Sequence, residues 1–445
     1  MHRSTTVLSL FSGCGGLDIP FTEPFYRVVG AYDNDPAAIQ CLNYNLSFGG
    51  SVFDVTSEDF RKELRRVGPV DVVLGGFPCQ GFSKAGPKKE EDPRNKLYNA
   101  MLFAVIKTQP IIFVAENVDG MAQNFGGRFV RKMERDFYAA GYTVSNCVLN
   151  AVNFGVPQYR RRIFFVGIRN GIKSQFQWPE PTHYGGSRNG EFKTSSEVSN
   201  QPTLFQPKPL RNPLAIRDAL SDLLDADSSF PDHVYDESFS AKDREIMAHV
   251  NEGQKLCNVR FSETSVYTWD IPEAFGETTE REKLILETIG RNRRKKQYGT
   301  IPNGNPLAPS VISDLSGLAI EEKELLVLVE KGFLKQQDTK YDLKGAMFCS
   351  GLYKRPRWDE PAPTVLTVFD KPRYFFHPRR LRPFTVRECA RLQSFPDTFS
   401  FIESGISFAD AYRLIGNAVP PKLAGVLASQ IRLFLDHYDE ELKCG

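Results

Sequence analysis

The sequence lacks an excess of charge of either sign. Lys and Arg number 56 against 54 Asp and Glu, a formal net charge of +2 over 445 residues. No global field therefore marks a polyanion as partner, and any such contact must come from local clusters. Paired metal-ligand spacing is also missing. The eight cysteines, at positions 14, 41, 79, 147, 257, 349, 389 and 444, contain no zinc-knuckle spacing and no neighbouring histidine pair. That excludes a structural zinc module and leaves no metal site to expect. Seven of them read as reduced, mostly buried thiols, and Cys79 has a setting of its own. Long apolar runs are absent too: the first stops at Phe11, too short for a leader or a spanning helix, and no later one reaches membrane length. A cytoplasmic protein with no membrane partner is expected. There is no internal repeat. At 41% hydrophobic and 25% charged residues the composition is that of an ordinary folded chain, long enough for two domains.

What is present is alternation. Strand-length apolar runs recur at Val7–Phe11, Val28–Tyr32, Ser51–Val55, Val70–Leu74, Ile111–Ala115, Thr143–Leu149 and Ile163–Ile168. Helix-like stretches lie between several of them, at Asp35–Tyr44, Leu97–Lys107 and Phe129–Ala140. This pattern predicts an α/β domain with a mainly parallel sheet. After about Gly171 the alternation stops, and residues 171–213 are rich in Pro, Gly, Ser and Asn. Order returns near Phe375, with a helix over Thr385–Leu392 and a closing amphipathic helix from about Lys422. Three parts are expected: 1–180, a separate variable domain over 181–375, and a segment 376–445 that returns to the first.

The unusual residues fall at strand ends, where open α/β sheets bind ligands. Phe11-Ser-Gly-Cys-Gly-Gly16 follows the first strand, and Gly13, Gly15 and Gly16 permit close backbone approach to a ligand. A dinucleotide loop would look similar, although Asp18 stands where G-x-G-x-x-G would end. Asp33 is placed to accept both hydroxyls of a ribose and Asp54 to accept an adenine amino group; a helix cap or turn explains either equally well. Cys79, just past a strand in Gly75-Gly-Phe-Pro-Cys-Gln-Gly-Phe-Ser83, is held at the crevice mouth and would act as a thiolate; the alternative is a buried structural thiol. Glu116, in Glu116-Asn-Val118, suits general acid work on a heteroaromatic base, or else a solvated ion pair. Arg160 and Arg162 in Gln158-Tyr-Arg-Arg-Arg162 would share one side of a strand, where one or both could hold a phosphate or a base.

Together these stretches resemble the DNA cytosine-5 methyltransferase family, and their order along the chain is the family's order. The Gly-Phe-Pro-Cys-Gln run, Glu116–Val118 and Gln158-x-Arg-x-Arg162 are similar to its motifs. So are Arg387-Glu-Cys-Ala-Arg-Leu-Gln-Ser-Phe-Pro-Asp397 and Gly416-Asn-Ala-Val-Pro420 near the C-terminus. The resemblance implies a Rossmann-like class I methyltransferase domain that binds S-adenosylmethionine, plus a smaller target-recognition domain. It implies catalysis by Cys79, Glu116, Arg160 and Arg162. It also implies a donor site formed by Phe11, Gly13, Gly15, Gly16, Asp33, Asp54, Val55, Pro78, Asn417 and Ala418. The substrate would be a cytosine flipped out of double-stranded DNA, with Glu116 raised in pKa by burial. A chain with one recognition domain looks like a bacterial type II modification enzyme that protects host DNA from a partner endonuclease, and a monomer suffices.

Two features depart from the family's pattern. Pro20 and Pro24 require the first helix to be short or irregular. The variable region has no matching block beyond Pro363-Thr-Val365. Within that region Arg291-Asn-Arg-Arg-Lys-Lys296 and Tyr353-Lys-Arg-Pro-Arg-Trp358 mix the side chains that phosphate contact and base reading require, although a solvated basic helix end would explain the first. The rivals are a tRNA cytosine-5 methyltransferase of the same fold, a catalytically silent DNA-binding homologue, and a dinucleotide oxidoreductase. Amino-methyltransferases would need an Asp/Asn/Ser-Pro-Pro-aromatic stretch, whereas the one Pro-Pro here, at 420–421, is followed by Lys422.

Overall fold

The computed structural model describes residues 4–77, 95–123, 127–185, 210–224, 230–234, 239–258, 262–301, 304–344 and 350–444. The chain divides into two compact units. The first is Met1–Val234 with Asp359–Val368 and Thr385–Gly445; the second is Tyr235–Trp358 with Phe369–Phe384. The first unit thus runs past the change in composition near 180, because Ile216–Leu220 packs on Val386–Leu392 of the same unit.

The first unit begins with β1 (Thr5–Leu10), β2 (Tyr26–Asp33), α1 (Pro36–Asn45), β3 (Ser51–Val52), α2 (Glu58–Val67), β4 (Val72–Gly75), α3 (Asn95–Thr108) and β5 (Ile112–Val118). There follow α4 (Gly120–Gln123), α5 (Arg128–Ala139), β6 (Tyr142–Asn150), β7 (Arg161–Arg169) and α6 (Ile216–Leu220). The seven strands form one sheet in the order β3-β2-β1-β4-β5-β7-β6. Pairing is parallel from β3 to β5, whereas β7 runs antiparallel to both of its neighbours.

Period-two alternation explains the two cores. In β5, Ile112 and Val114 face one layer while Phe113 and Ala115 face the other; in β7, Phe164 and Val166 oppose Ile163 and Phe165. One face is covered by Phe60 and Leu64 of α2, Met101 and Val105 of α3, and Met133 and Phe137 of α5. Where α1 starts is set locally: Asp35 accepts from the amides of Ala37 and Ala38, and Pro36 occupies the first turn. Between β1 and β2 the two prolines leave only a 3-10 turn at Ile19–Thr22. The third strand is shorter than the apolar run Ser51–Val55 predicts. It stops at Val52, a half-exposed edge position, and the chain turns where the Asp54 carboxylate accepts the Thr56 amide and hydroxyl.

The second unit holds α7 (Ala241–His249), β8 (Lys255–Cys257), β9 (Ser265–Val266), α8 (Pro272–Phe275), α9 (Glu280–Asn292), α10 (Pro309–Ser316) and α11 (Glu322–Glu330). It continues with β10 (Leu334–Gln337), β11 (Lys340–Leu343) and β12 (Ser350–Leu352). Trp269, Ile285, Ile289, Leu325 and Tyr341 build its main core. The two basic stretches do not lie wholly on a surface. Arg293 turns inward to grip both oxygens of Asp342 at 2.5 and 2.7 Å, in a pair only 4% and 3% exposed. Tyr353 is buried with its hydroxyl on Asp243, and Arg355 donates to the Pro378 and Val250 carbonyls. Burial thus claims side chains that sequence alone would assign to phosphate contact.

The chain then returns to the first unit as α12 (Val386–Leu392), α13 (Phe408–Asn417) and α14 (Pro421–Cys444). Leu423, Leu427, Ile431, Phe434 and Leu435 of α14 cover the second face of the large sheet. Pro363-Thr-Val365 also belongs here: the Thr364 hydroxyl donates to the Tyr159 carbonyl, and the Val365 amide donates to the Gln158 side chain. Among the described residues no helix is long and apolar enough to cross a membrane.

Removing one partner of the Arg293–Asp342 pair leaves a buried charge uncompensated. Asp342→Ala should therefore destabilise the second unit by roughly 3–5 kcal/mol. Denaturant unfolding followed through tryptophan fluorescence measures this, and a change below about 1 kcal/mol would show that the pair is replaceable.

Candidate active site

The carboxyl ends of β1, β2, β4 and β5 converge on a cavity of about 440 Å³. Its wall includes Phe11, Ser12, Gly13, Cys14, Gly16 and Leu17 after β1, and Asp33, Asn34 and Asp35 from the end of β2. It also includes Gly76 and Phe77 after β4, Glu116–Val118, Arg162, Arg413, and Asn417–Val419. That volume suits a ligand of nucleoside size.

The loop after β1 is folded by its own backbone. Gly13 is left-handed at φ 56° and its amide donates to Asp33 Oδ2 at 2.9 Å. The other Asp33 oxygen accepts the Asp35 amide at 3.0 Å. Asp33 therefore clamps the loop and still faces the cavity, with burial raising its carboxyl above the ordinary value. Gly16 is needed for close approach: a β-carbon there would stand 2.6 Å from the Val419 carbonyl oxygen and 3.0 Å from the Ala418 methyl. Asn417 ends α13 on the same wall, with Ala418 beside it.

Glu116 sits near the end of β5, with Arg162 opposite Val118 at the start of β7. Arg162 Nε is 2.9 Å from Glu116 Oε1, and the two side chains are 14% and 11% exposed. Burial pushes the Glu116 carboxyl up, and Arg162 and Arg160 pull it back only in part. The direction is the one expected from sequence. Gly76 lies beside this carboxylate, and a β-carbon there would stand in van der Waals contact with Oε2 at 3.4 Å. Asn117 donates to the Phe77 carbonyl at 2.8 Å and so ties the ends of β4 and β5 together.

Arg160 differs from the expectation. It precedes β7 rather than alternating with Arg162 along one strand. Its guanidinium is fully buried and donates to the carbonyls of Gly416 at 2.9 Å and Val365 at 3.4 Å, leaving Nε without a partner among the described residues. It therefore braces the end of α13 that carries Asn417 instead of lying open to a phosphate.

Of the remaining sequence-predicted residues, Asp54 and Val55 are not on the cavity wall. The Asp54 carboxylate is taken up in its turn with Thr56, and Val55 lines a separate pocket with Arg61 and Phe103. Gly15 is also off the wall. At φ 92° it packs so that a β-carbon would meet Leu46 at 2.6 Å, which makes it a packing glycine. Pro78 and Cys79 lie outside the described residues, two positions and fewer beyond Phe77 in the sequence. Sequence reasoning missed Arg413, which reaches the wall and pairs with Asp35 and Asp410. The available signal was its spacing of four from Asn417, which places both on one face of α13.

Removing Arg162 deletes a cation that pulls the Glu116 carboxyl down. In Arg162→Ala that carboxyl should stay protonated to higher pH than in the wild-type protein. The infrared carbonyl band lost in Glu116→Gln reports it, and an unchanged or lowered titration midpoint would contradict the coupling.

Comparison with known proteins agrees with this geometry. Residues 5–433 match the model of the C-5 cytosine-specific DNA methylases. The type II methyltransferase M.AgeI of Thalassovita gelatinovora is 31% identical over 446 residues, covering 96% of this chain and 99% of that protein. The type II methyltransferase M.NgoFVII of Neisseria gonorrhoeae is 27% identical over 98% of this chain and 88% of its own length. A crystal structure described as a prophage-encoded DNA modification methyltransferase of E. coli superposes with a TM-score of 0.54 at 23% identity. It covers 97% of this chain and all of that one, a likeness of fold. With a match across nearly its whole length and an α/β site built at the sheet's carboxyl edge, the chain belongs to the C-5 cytosine-specific DNA methylase family.

Proposed function

We propose that this chain methylates carbon 5 of a cytosine flipped out of a specific double-stranded DNA sequence, using S-adenosylmethionine and a transient bond from Cys79. The observation that carries this reading is the buried Glu116. Its carboxyl is raised in pKa, held by Arg162, and lies on the wall of the same cavity as the Asp33–Gly13 clamp.

The residues present suit the donor. A carboxylate fixed by a glycine amide, glycine backbone open to close approach, and the exposed Asn417 match a ribose and a polar amino-acid tail. Phe11, Gly13, Gly16, Asp33, Asn417 and Ala418 would hold it, and Pro78 would border it. Bound there, S-adenosylmethionine supplies an electrophilic methyl group.

The protein's own chemistry prepares the base. The Cys79 thiolate adds to carbon 6, and the displaced electron pair passes through carbon 5 toward N3. Glu116, kept protonated or sharing its proton by burial, donates to N3 so that charge does not build up there. Carbon 5 is then nucleophilic enough to accept the methyl. Loss of its proton and departure of Cys79 as thiolate restore the aromatic ring. Arg162 orients Glu116, and Arg160 fixes the end of α13 that carries Asn417. The second unit would supply sequence recognition, with the exposed Lys295 and Lys296 available for phosphate. The likeness to type II enzymes supports a role beside a cognate restriction endonuclease, which a cytoplasmic monomer would fill.

Purified protein incubated with labelled S-adenosylmethionine should place label in plasmid DNA as 5-methylcytosine. Cys79→Ala should abolish the transfer, and Glu116→Gln should slow it by about 10²–10⁴-fold. Label entering only tRNA would overturn the substrate while keeping the chemistry, and transfer undiminished in Cys79→Ala would overturn the mechanism.

A further inference from the structure

One buried titratable group has no part in the chemistry above. Asp18 follows directly on the loop Ser12–Leu17 that walls the donor cavity, and it is 0% exposed. Neither of its carboxylate oxygens is in a well-formed hydrogen bond among the described residues, and the Ser9 hydroxyl and its own amide lend it only partial stabilisation. It occupies the cap position of the 3-10 turn Ile19–Thr22, yet its side chain makes no capping bond. Its backbone serves the loop, donating to the Gly15 carbonyl at 2.9 Å and accepting from the Phe21 amide at 2.8 Å. A structural role would leave the carboxylate paired, because a buried unpaired charge is strongly disfavoured.

The surroundings are poor in charge. From β1 comes the Ser9 hydroxyl, which accepts from the cavity-wall hydroxyl of Ser12 at 3.2 Å and, as a donor to Asp18, offsets part of the effect of burial. From the end of β2 comes Asp33, a like charge, and within the loop the Cys14 thiol, itself pushed up by burial. From the C-terminal segment, Val419, Leu423 and Ala424 belong to the same apolar cluster as Leu17 and Phe21, the neighbours of Asp18 in the loop and the turn. No cation is among these neighbours. Burial pushes the Asp18 carboxyl up to about 7, so its charge state is poised to respond to a cation arriving in the cavity.

We propose that Asp18 is the counter-charge for the methyl donor: its carboxylate, buried where the glycine loop ends, favours the positively charged S-adenosylmethionine over the neutral S-adenosylhomocysteine left after transfer. This rests on the reading of the cavity as the donor site. In a dry interior a charge acts across a loop's thickness with little screening. An arriving sulfonium favours the ionised carboxylate, so Asp18 releases a proton as the donor binds. When the methyl leaves, the cation disappears, the proton returns, and the spent product loses the attraction. Release of product is thereby assisted by the same residue that attracts the donor.

Titration calorimetry of the full chain, wild type and Asp18→Asn, with each of the two compounds at pH 6 and pH 8 tests this. Asparagine copies the shape of the protonated acid, and the donor's amino group titrates alike in both proteins, so it cancels. If the donor lowers the Asp18 pKa by one unit, wild-type affinity for S-adenosylmethionine should rise roughly five-fold more between pH 6 and pH 8 than that of the variant. No such difference should appear for S-adenosylhomocysteine. Near pH 7, buffers of differing ionisation enthalpy should reveal proton release by wild type with the donor alone. Equal proton release with the two compounds overturns the proposal from the wild-type protein by itself, even if the variant fails to fold. So does an unchanged donor-to-product preference in the variant. Binding of neither compound by wild-type protein overturns the donor reading and this inference with it.

Discussion

The site depends on one buried ion pair, Glu116 with Arg162, and that pair depends on a reversed strand. Were β7 parallel to β5, its first residues would lie at the opposite edge of the sheet from Glu116. Running antiparallel, β7 starts where β5 ends, so that Arg162 stands opposite Val118 and reaches the carboxylate two residues away. The strand ends at β1, β2, β4 and β5 supply the loop, the clamp and the acid, and the reversal supplies the cation. Burial alone would leave Glu116 neutral and unoriented; a fully solvated pair would leave it ionised. The observed balance, desolvation outweighing two nearby arginines, raises the carboxyl above its ordinary value and holds it in a fixed direction, which is what the proposed acid role asks of it.

The second constraint is closure of the cavity by the far end of the chain. Gly16 meets the Val419 carbonyl so closely that any side chain would separate the two loops. Behind this contact lies a buried amide relay. Gln158 donates to Gln393, Gln393 donates to the Ile415 carbonyl, and Arg160 donates to the next carbonyl, Gly416. Arg413 ties α13 to Asp35 on the loop that follows β2. Residues nearly 400 positions apart thus form one wall within the first unit, while Tyr235–Trp358 belongs to the second.

Much of this was legible in the sequence. Six of the seven strands and the helices α1, α3, α5, α12 and α14 stand where apolar runs predict, because each buries a face whose period is visible locally; β3, exposed and two residues long, covers only the start of its run. The cavity residues Phe11, Gly13, Gly16, Asp33, Glu116, Arg162, Asn417 and Ala418 were found by their places at strand ends or in matched motifs. The failures share a cause: partners distant in sequence decide what a polar side chain does. Arg160 was read with Arg162 by alternation, but the carbonyls of Val365 and Gly416, more than 200 positions away, claim it. Arg293 reads as one of a basic run until Asp342 draws it inward. Asp54 kept its local alternative, a turn, because β3 ends early at the sheet edge.

The central claim is that a nucleophile following β4 and an acid ending β5 act together on one base. Trapping the adduct tests it most directly. DNA in which the target cytosine carries fluorine at carbon 5 has no proton to lose after methyl transfer, so the thiol cannot leave and a covalent complex accumulates. Peptide mass spectrometry of that complex, formed with S-adenosylmethionine present, should find the methylated base attached to Cys79. Attachment at another residue, or full turnover with no trapped species, would contradict the account.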